Sequence, residues 1–323
     1  MTPLVSIILL CHAHENFVIP CLEAIKEQNY KNIEVLLVDD ASPDNSVEKI
    51  TQWCKTNGKY VTKFIALQQN IGNCKAFNQA LVYAKGKYVI DLAADDILLP
   101  HCIENQVLNF EKLPENYAVV FANANYIDLE GNILYPHHKK NEIVAQNDIY
   151  QQIIQHSFIC TPTMMMRKTV LDELHGYDEQ LSYEDFDWWI RSSRKYYYAY
   201  IDKILVHKRI VKNSLGSYFY NTQAQKHLYS TYLICKKIAL QNRKKEEDKA
   251  LAYRIRYFLR LCCYTGNYEI FADFYLLLQQ IDKLKVIDIF WKYIAKYQIP
   301  LQKLYTCYTN TIAIVSKSFI FKT

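Results

Sequence analysis

The chain reads as an α/β protein: a mainly parallel sheet flanked by helices, followed by a helical C-terminal region. Three observations predict this. Over the first 125 residues, short apolar runs alternate with amphipathic segments, the βαβα order that builds a parallel sheet. Two of those runs lead into adjacent carboxylates, Asp39-Asp40 and Asp95-Asp96. Charge also divides the chain, since residues 1–219 carry 21 Lys+Arg against 26 Asp+Glu and residues 220–323 carry 17 against 7. That shift sets the expected domains, 1–219 and 220–323.

Val5–Leu10 is apolar but for Ser6 and reads as a buried strand. Asn16–Gln28 is amphipathic at helical spacing, and Ile33–Val38 is the second strand. Ser42-Pro43-Asp44-Asn45 has the chemistry of a turn and a helix start, which opens a helix over Ser46–Lys55. Val61–Leu67 is a third strand, and Asn73–Ala84 a helix with Gly86 as its expected C-cap. Lys87–Leu92 is the fourth strand, Pro100–Leu113 the next helix and Tyr117–Ala122 a further buried strand.

After that the rhythm changes. Asn125–Tyr135 reads as a hairpin around Glu130-Gly131-Asn132. Ile149–His156 reads as a helix, Thr163–Arg167 as a short strand, and Ser182–Lys195 as a segment carrying the late acids Glu184, Asp185 and Asp187. Tyr196–Ile201 and Ile204–Val211 read as two strands. From about Thr222 the pattern is helical, over Leu228–Leu240, Ala250–Cys263 and Tyr268–Gln280.

Composition narrows the function. Half of the 323 residues are apolar, enough for a large α/β core plus an appendage. There are only 7 glycines and neither G-x-G-x-x-G nor G-x-x-x-x-G-K-[ST] occurs, which argues against a Gly-rich phosphate loop. The 10 cysteines form no C-x-x-C pair and fall in apolar patterns, as buried reduced thiols do. Leu4–Leu10 is too short for a signal peptide and lacks a basic leader, and no apolar run reaches the ~18 residues of a membrane span. A cytoplasmic chain is the expectation.

Two carboxylates side by side repel, and a bound divalent cation is the usual reason to place them so. In open α/β sheets, ligands bind outside the carboxyl ends of the strands, where both early acid pairs fall.

Six segments in order carry a resemblance: Val5-Ser6-Ile7-Ile8, Val38-Asp39-Asp40-Ala41-Ser42, Asn70-Ile71-Gly72, Gly86-Lys87-Tyr88, Asp95-Asp96, and Glu184-Asp185-Phe186-Asp187-Trp188-Trp189-Ile190-Arg191. Together they resemble the family 2 glycosyltransferases, inverting enzymes of GT-A (Rossmann-like) fold that use nucleotide-activated sugars. The resemblance implies Mn²⁺ or Mg²⁺ held by Asp96, with Asp95 facing the ribose or supporting the metal. It implies that Asp40 accepts a hydrogen bond from uracil while Asp39 fixes the loop, although either acid fits the base by sequence. His12 either stacks on the base or sits in a plain surface loop, and Lys75 is a candidate to face the phosphates or base. Asp185 is implied as the catalytic base, kept ionised by a helix N-terminus, with Glu184 orienting the site or the acceptor.

Asp187 and Arg191 read as a structural ion pair. One of Trp188 and Trp189 should enter the core and the other face an acceptor sugar, a role open to Tyr183 as well. The implied reaction moves a sugar from a UDP-sugar to a hydroxyl of a glycan or lipid-linked acceptor, in surface polysaccharide assembly.

Two departures stand out. Ala93 and Ala94 occupy positions where many members carry Asp or Ser, and Val211 replaces a His that completes the metal site. The metal would then be held by Asp96, phosphates and water, or by another residue such as His207. These departures suggest a second reading, a non-catalytic nucleotide-sugar-binding or scaffold protein that has kept the fold. A nucleotidyltransferase lacks support, because Cys11-His12-Ala13-His14-Glu15 is no Gly-rich basic loop.

The basic, Tyr- and Phe-rich region 220–323 suits either of two roles. One is peripheral contact with the inner face of a membrane, fitting a lipid-linked acceptor. The other is helical packing or oligomer formation with a solvated basic face. No nucleic-acid motif accompanies the charge, so nucleic acid is not an expected partner.

Overall fold

The computed structural model describes residues 2–211 and 224–301. Its centre is β1 (Val5–Cys11), whose seven residues are all buried. β1 runs parallel to β2 (Ile33–Asp39) on one side and to β4 (Tyr88–Ala93) on the other. The register sets Cys11 opposite Asp39 and Leu10 opposite Ala93, so both acid pairs emerge at one edge of the sheet. β3 (Lys63–Ala66) extends the sheet beyond β2.

The helices α1 (Val18–Lys26), α2 (Ser46–Asn57) and α3 (Asn73–Leu81) alternate with these strands. On α1, Val18, Cys21, Leu22 and Ile25 recur at helical spacing and join Val5, Ile7 and Leu9 in the core. After β4 come β5 (Ile97–Leu98), α4 (Cys102–Phe110), β6 (Tyr117–Ile127) and β7 (Ile133–Pro136). The chain continues through α5 (Tyr150–Gln155), a 3₁₀ turn at Thr161–Thr163, β8 (Met165–Arg167), α6 (Lys168–Glu173), α7 (Glu184–Ser193) and β9 (Tyr197–Arg209).

The nine-stranded sheet has the order β3-β2-β1-β4-β8-β6-β9-β5, with β7 paired to β6. β8 lies antiparallel between β4 and β6, and β6 is parallel to β9. β1, β2, β3, β4, β6 and β9 therefore share one direction, which is the mainly parallel sheet expected; the second half of the sheet is mixed.

Two local expectations are corrected. The two late strands are one, β9, in which Asp202 and Lys203 form a bulge between the pairs Ala122–Ile201 and Asn123–Ile204. Polar bulge residues look like a break in sequence. Gly86 is not a helix cap, because α3 ends at Leu81. It is required by close approach instead: a Cβ at Gly86 would lie 2.6 Å from the Ser6 nitrogen and 2.6 Å from its Oγ. The short elements β5 and α6 carry too few residues to show a period in sequence.

Contacts divide the chain into two compact units, Met1–Ile153 with Ser157–Lys212, and Ile154–His156 with Asn213–Thr323. The boundary expected at 219/220 lies outside the described residues. The second unit contains α8 (Ala224–Gln241), α9 (Lys245–Thr265), α10 (Tyr268–Ile281) and α11 (Val286–Lys296). Phe258 on α9 stacks on Phe274 of α10, with ring centroids 5.6 Å apart. α9 ends at Gly266, whose φ of 75° is the left-handed cap that glycine accepts without strain. No described helix is long and apolar enough to cross a membrane.

Candidate active site at the carboxyl edge of the sheet

The first acid pair is held by donors from two loops. The Asp39 carboxylate accepts the Ser42 backbone N–H (2.8 Å) and the Ser42 hydroxyl (2.6 Å), the loop-fixing role expected of it. Asp40 accepts the N–H groups of Ile71 (2.7 Å) and Gly72 (2.9 Å). Gly72 has φ 87°, a conformation few side chains tolerate, and it directly precedes α3. His12 is exposed at the end of β1, with Nδ1 2.9 Å from the Asp40 carbonyl and the Asn70 amide 3.2 Å from Nε2. Lys75 is exposed on α3, and no hydrogen bond or ion pair among the described residues ties it to the acids.

The first turn of α3 links this pair to the late acids. Asn73 donates its side-chain amide to Glu184 Oε1 at 2.6 Å. Glu184 opens α7 and is buried, and burial, with the adjacent Asp185 adding to it, pushes its pKa up to about 7. Asp185 Oδ2 accepts the Thr161 hydroxyl at 2.7 Å, and Oδ1 accepts the Phe186 N–H at 2.7 Å. Burial raises the Asp185 pKa despite those donors and Lys208. The helix N-terminus therefore does not dominate its ionisation; burial does.

The second acid pair is differently furnished. Asp96 is only 3% exposed, and its Oδ1 accepts the Arg209 backbone N–H at 3.0 Å. Burial, and then the Asp95 charge beside it, push Asp96 up to about 8. The Asp95 carboxylate lies 3.9 Å from His14 Nε2. Arg209 clamps the edge: Nε donates to the Asp95 carbonyl (3.2 Å), and Nη1 to those of Asp128 (2.7 Å) and Leu129 (3.0 Å).

Lys208 is a cation whose charge acts on both clusters, through Asp96 and Asp185. It pairs across the ladder with Tyr126 and is half-buried. Burial opposes its charge, yet Cys160, Asp96, Tyr126 and Asp185 together raise its pKa above the ordinary lysine value. Among the described residues no carboxylate reaches ion-pair distance of its ammonium. Its neighbour His207 pairs with Ile97 on β5. Successive strand residues face opposite sides, so His207 belongs to the other face and does not replace the missing metal-site histidine.

Asp91 lies on β4. It is buried, accepts the Tyr177 hydroxyl at 2.8 Å, and is pushed up to about 7 by burial, with Glu184 and Asp185 adding to it. Thr161, Tyr177, Lys208, Arg209 and His14 likewise join the cluster without a sequence signature. The nearest to a signal is Lys208-Arg209, two adjacent cations closing the apolar run Ile204-Leu205-Val206.

Trp188 and Trp189 are both buried, Trp189 donating to Met164 Sδ at 2.9 Å, so neither offers a face to a sugar. Tyr183 is only partly buried and lies 3.1 Å from the Ser157 hydroxyl. Asp187 and Arg191 form the expected ion pair at 2.6 Å, and the Arg191 guanidinium also donates to the Leu174 and Gly176 carbonyls.

The Asp95-Asp96 pair fits a hard divalent cation: adjacent oxygen donors, one buried at the expense of raised proton affinity, which a cation would relieve. No group of three or more His, Cys, Asp or Glu among the described residues forms a closed metal site. A cation at Asp95-Asp96 would take its other ligands from a bound anion and water.

Comparisons agree with this architecture. The profile of Glycosyl transferase family 2 matches residues 6–175. An uncharacterised glycosyltransferase of Methanocaldococcus jannaschii is 30% identical over 235 residues, 72% of this chain and 78% of that protein. In fold the chain is similar to S. aureus TarS 1–349 in complex with UDP-GlcNAc, with a TM-score of 0.67 and 16% identity, covering 91% of this chain and 88% of that one. It is also similar to the mannosyltransferase PcManGT of Pyrobaculum calidifontis in complex with GDP-Man and Mn²⁺, with a TM-score of 0.59 and 15% identity, covering 100% and 89%.

Proposed function

The chain belongs to glycosyl transferase family 2, and we propose that it moves a hexose from a UDP-sugar to a hydroxyl of a glycan or lipid-linked acceptor, with inversion, in surface polysaccharide assembly. The observation that carries this reading is the split of the acids into two clusters with the charge of Lys208 acting on both: Asp95-Asp96 on one side, and Asp185, steadied by Thr161, on the other. An inverting displacement needs that division. The base must stand on the face of the sugar opposite the leaving diphosphate.

In this reading the acceptor hydroxyl gives its proton to Asp185 as its oxygen bonds to the anomeric carbon. The bond from that carbon to the diphosphate oxygen breaks, and its electron pair leaves with UDP. A pKa raised by burial suits Asp185 to the task, because it gives the carboxylate more affinity for the acceptor's proton. Glu184, fixed by Asn73, orients the acceptor side. Lys208 sets positive charge where the diphosphate develops its negative charge. Asp96, with Asp95 beside it, would hold Mn²⁺ or Mg²⁺, which supplies further positive charge to the leaving group. Asp40 holds the Ile71–Gly72 loop, and each of its oxygens keeps a second acceptor site for the imide N–H of uracil. His12 and Lys75 flank the nucleotide side. The solved structures of similar fold that contain UDP-GlcNAc, or GDP-Man with Mn²⁺, support the donor class.

UDP release from a panel of UDP-sugars with Mn²⁺ tests the proposal. Turnover should fall about 10³-fold in Asp185→Asn, the range for a removed general base, and by a comparable factor in Asp96→Ala. Undiminished turnover in Asp185→Asn would remove the base assignment. Tight donor binding without turnover on any acceptor would favour the scaffold reading.

A further inference from the structure

Helix α11 carries its apolar residues on the wrong side for a globular helix. Its inward sector is formed by Asp288, Ile294 and Ala295, all buried, and Asp288 is taken up by Arg256 Nε at 3.0 Å and by the Lys285 N–H at 2.8 Å. Its outward sector is apolar: Val286 is 86% exposed, Ile289 56%, Phe290 50% and Tyr293 57%. These positions, continued by the exposed Tyr297, recur at i, i+3, i+4, i+7 and i+11, a single stripe along the helix.

Charge frames the stripe. Lys285, Lys292 and Lys296 are exposed and share one edge at the same helical spacing. The sole acid between residues 283 and 298 is Asp288, which faces inward. The outward sector is therefore apolar and positive with no negative charge.

We propose that α11 is a membrane-surface helix that lies in the plane of an anionic bilayer, with the Val286–Tyr297 stripe among the upper acyl chains and the lysines on lipid phosphates. Apolar residues on one sector with basic residues at its edge are what the interface selects, since lysine stems reach past the apolar layer to the headgroups. Two tyrosines on the stripe suit the same depth, because a phenol ring has an apolar body and a polar tip. A second copy fits less well. Twofold pairing of this stripe would bring two lysine edges together without an acid to meet them.

This inference stands apart from the donor chemistry. Its test is co-sedimentation of the full chain with vesicles of phosphatidylcholine, alone or mixed with phosphatidylglycerol. The expected result is partitioning at least about tenfold stronger to the anionic vesicles, from roughly fivefold per engaged lysine. Phe290→Glu should lower that partitioning about tenfold or more by setting a charge in the apolar layer. The triple variant Lys285→Glu, Lys292→Glu, Lys296→Glu should abolish the preference for anionic lipid. Thermal melts of each variant check that the chain is folded before partitioning is compared. Wild-type chain that leaves the vesicles unbound overturns the proposal. So does a dimer that Phe290→Glu splits into monomers without vesicle binding, or equal binding by wild type and Phe290→Glu.

Discussion

The two early acid pairs end parallel strands at the same edge of one sheet, yet the structure treats them in opposite ways. Asp39 and Asp40 accept four donors between them, one at each carboxylate oxygen: the N–H and hydroxyl of Ser42, and the N–H groups of Ile71 and Gly72. Among the described residues, Asp95 and Asp96 have far less. One backbone N–H reaches Asp96, and a histidine lies 3.9 Å from Asp95. A carboxylate ringed by backbone donors is part of the wall of a site and positions its loops. A buried carboxylate beside another, short of donors, stores repulsion that a proton or a cation relieves. The same two-letter signature thus builds a scaffold in one place and a ligand position in the other.

The largest effect expected from breaking this contrast lies at Lys208, which has no counterpart at the first pair. If its ammonium serves the departing diphosphate, Lys208→Met should cut kcat about 10–10²-fold in UDP release, with Lys208→Arg recovering part of the loss. Unchanged turnover with an altered melting temperature would reduce Lys208 to a neutraliser of the second pair.

Matched amide substitutions come next, and they should act with opposite sign. Asp40→Asn turns an amide group toward the Ile71 or Gly72 N–H, leaving donors face to face. That should cost about 1–3 kcal/mol and lower Tm by about 3–8 °C. Asp96→Asn keeps a carbonyl for the Arg209 N–H while removing a buried charge, so the metal-free chain should gain a few degrees at about pH 8. Thermal melts of the two variants side by side are the check. A shift of the same sign in both would erase the distinction between the pairs.

How far this was legible in the sequence follows from the range of the interactions. The buried runs of β1 and β2 and the acid pairs after them are local patterns, and they placed the fold, the shared edge and the Asp187–Arg191 pair. The partners that distinguish the pairs are not local. Arg209 meets Asp96 across 113 positions, Tyr177 meets Asp91 across 86, and Thr161 meets Asp185 across 24. No periodicity encodes such meetings. Gly86 was misread for the same reason: the helix-cap pattern is local, whereas its need for a missing side chain comes from the Ser6 backbone of β1. The adjacent tryptophans failed differently. On a helix, neighbours normally diverge by 100°, yet α7 is covered widely enough to bury both.

The smallest expected effect is also the most direct measure of stored repulsion. Burial pushes Asp96 up to about 8, and Asp91 and Glu184 up to about 7, from ordinary values of 3.8 for Asp and 4.5 for Glu. Between those limits the folded state holds protons that the unfolded chain has released. Their contribution to stability is complete below about pH 4 and is lost as pH rises through 7 to 8. In the absence of divalent cation, Tm should therefore fall by several degrees from about pH 5 to about pH 8. Asp96→Asn should flatten the upper part of that fall and leave the part due to Asp91 and Glu184. Asp40→Asn should lower Tm at every pH in this range, because the first pair is fixed by hydrogen bonds. A wild-type profile flat across this range would mean that the second pair is as well satisfied as the first.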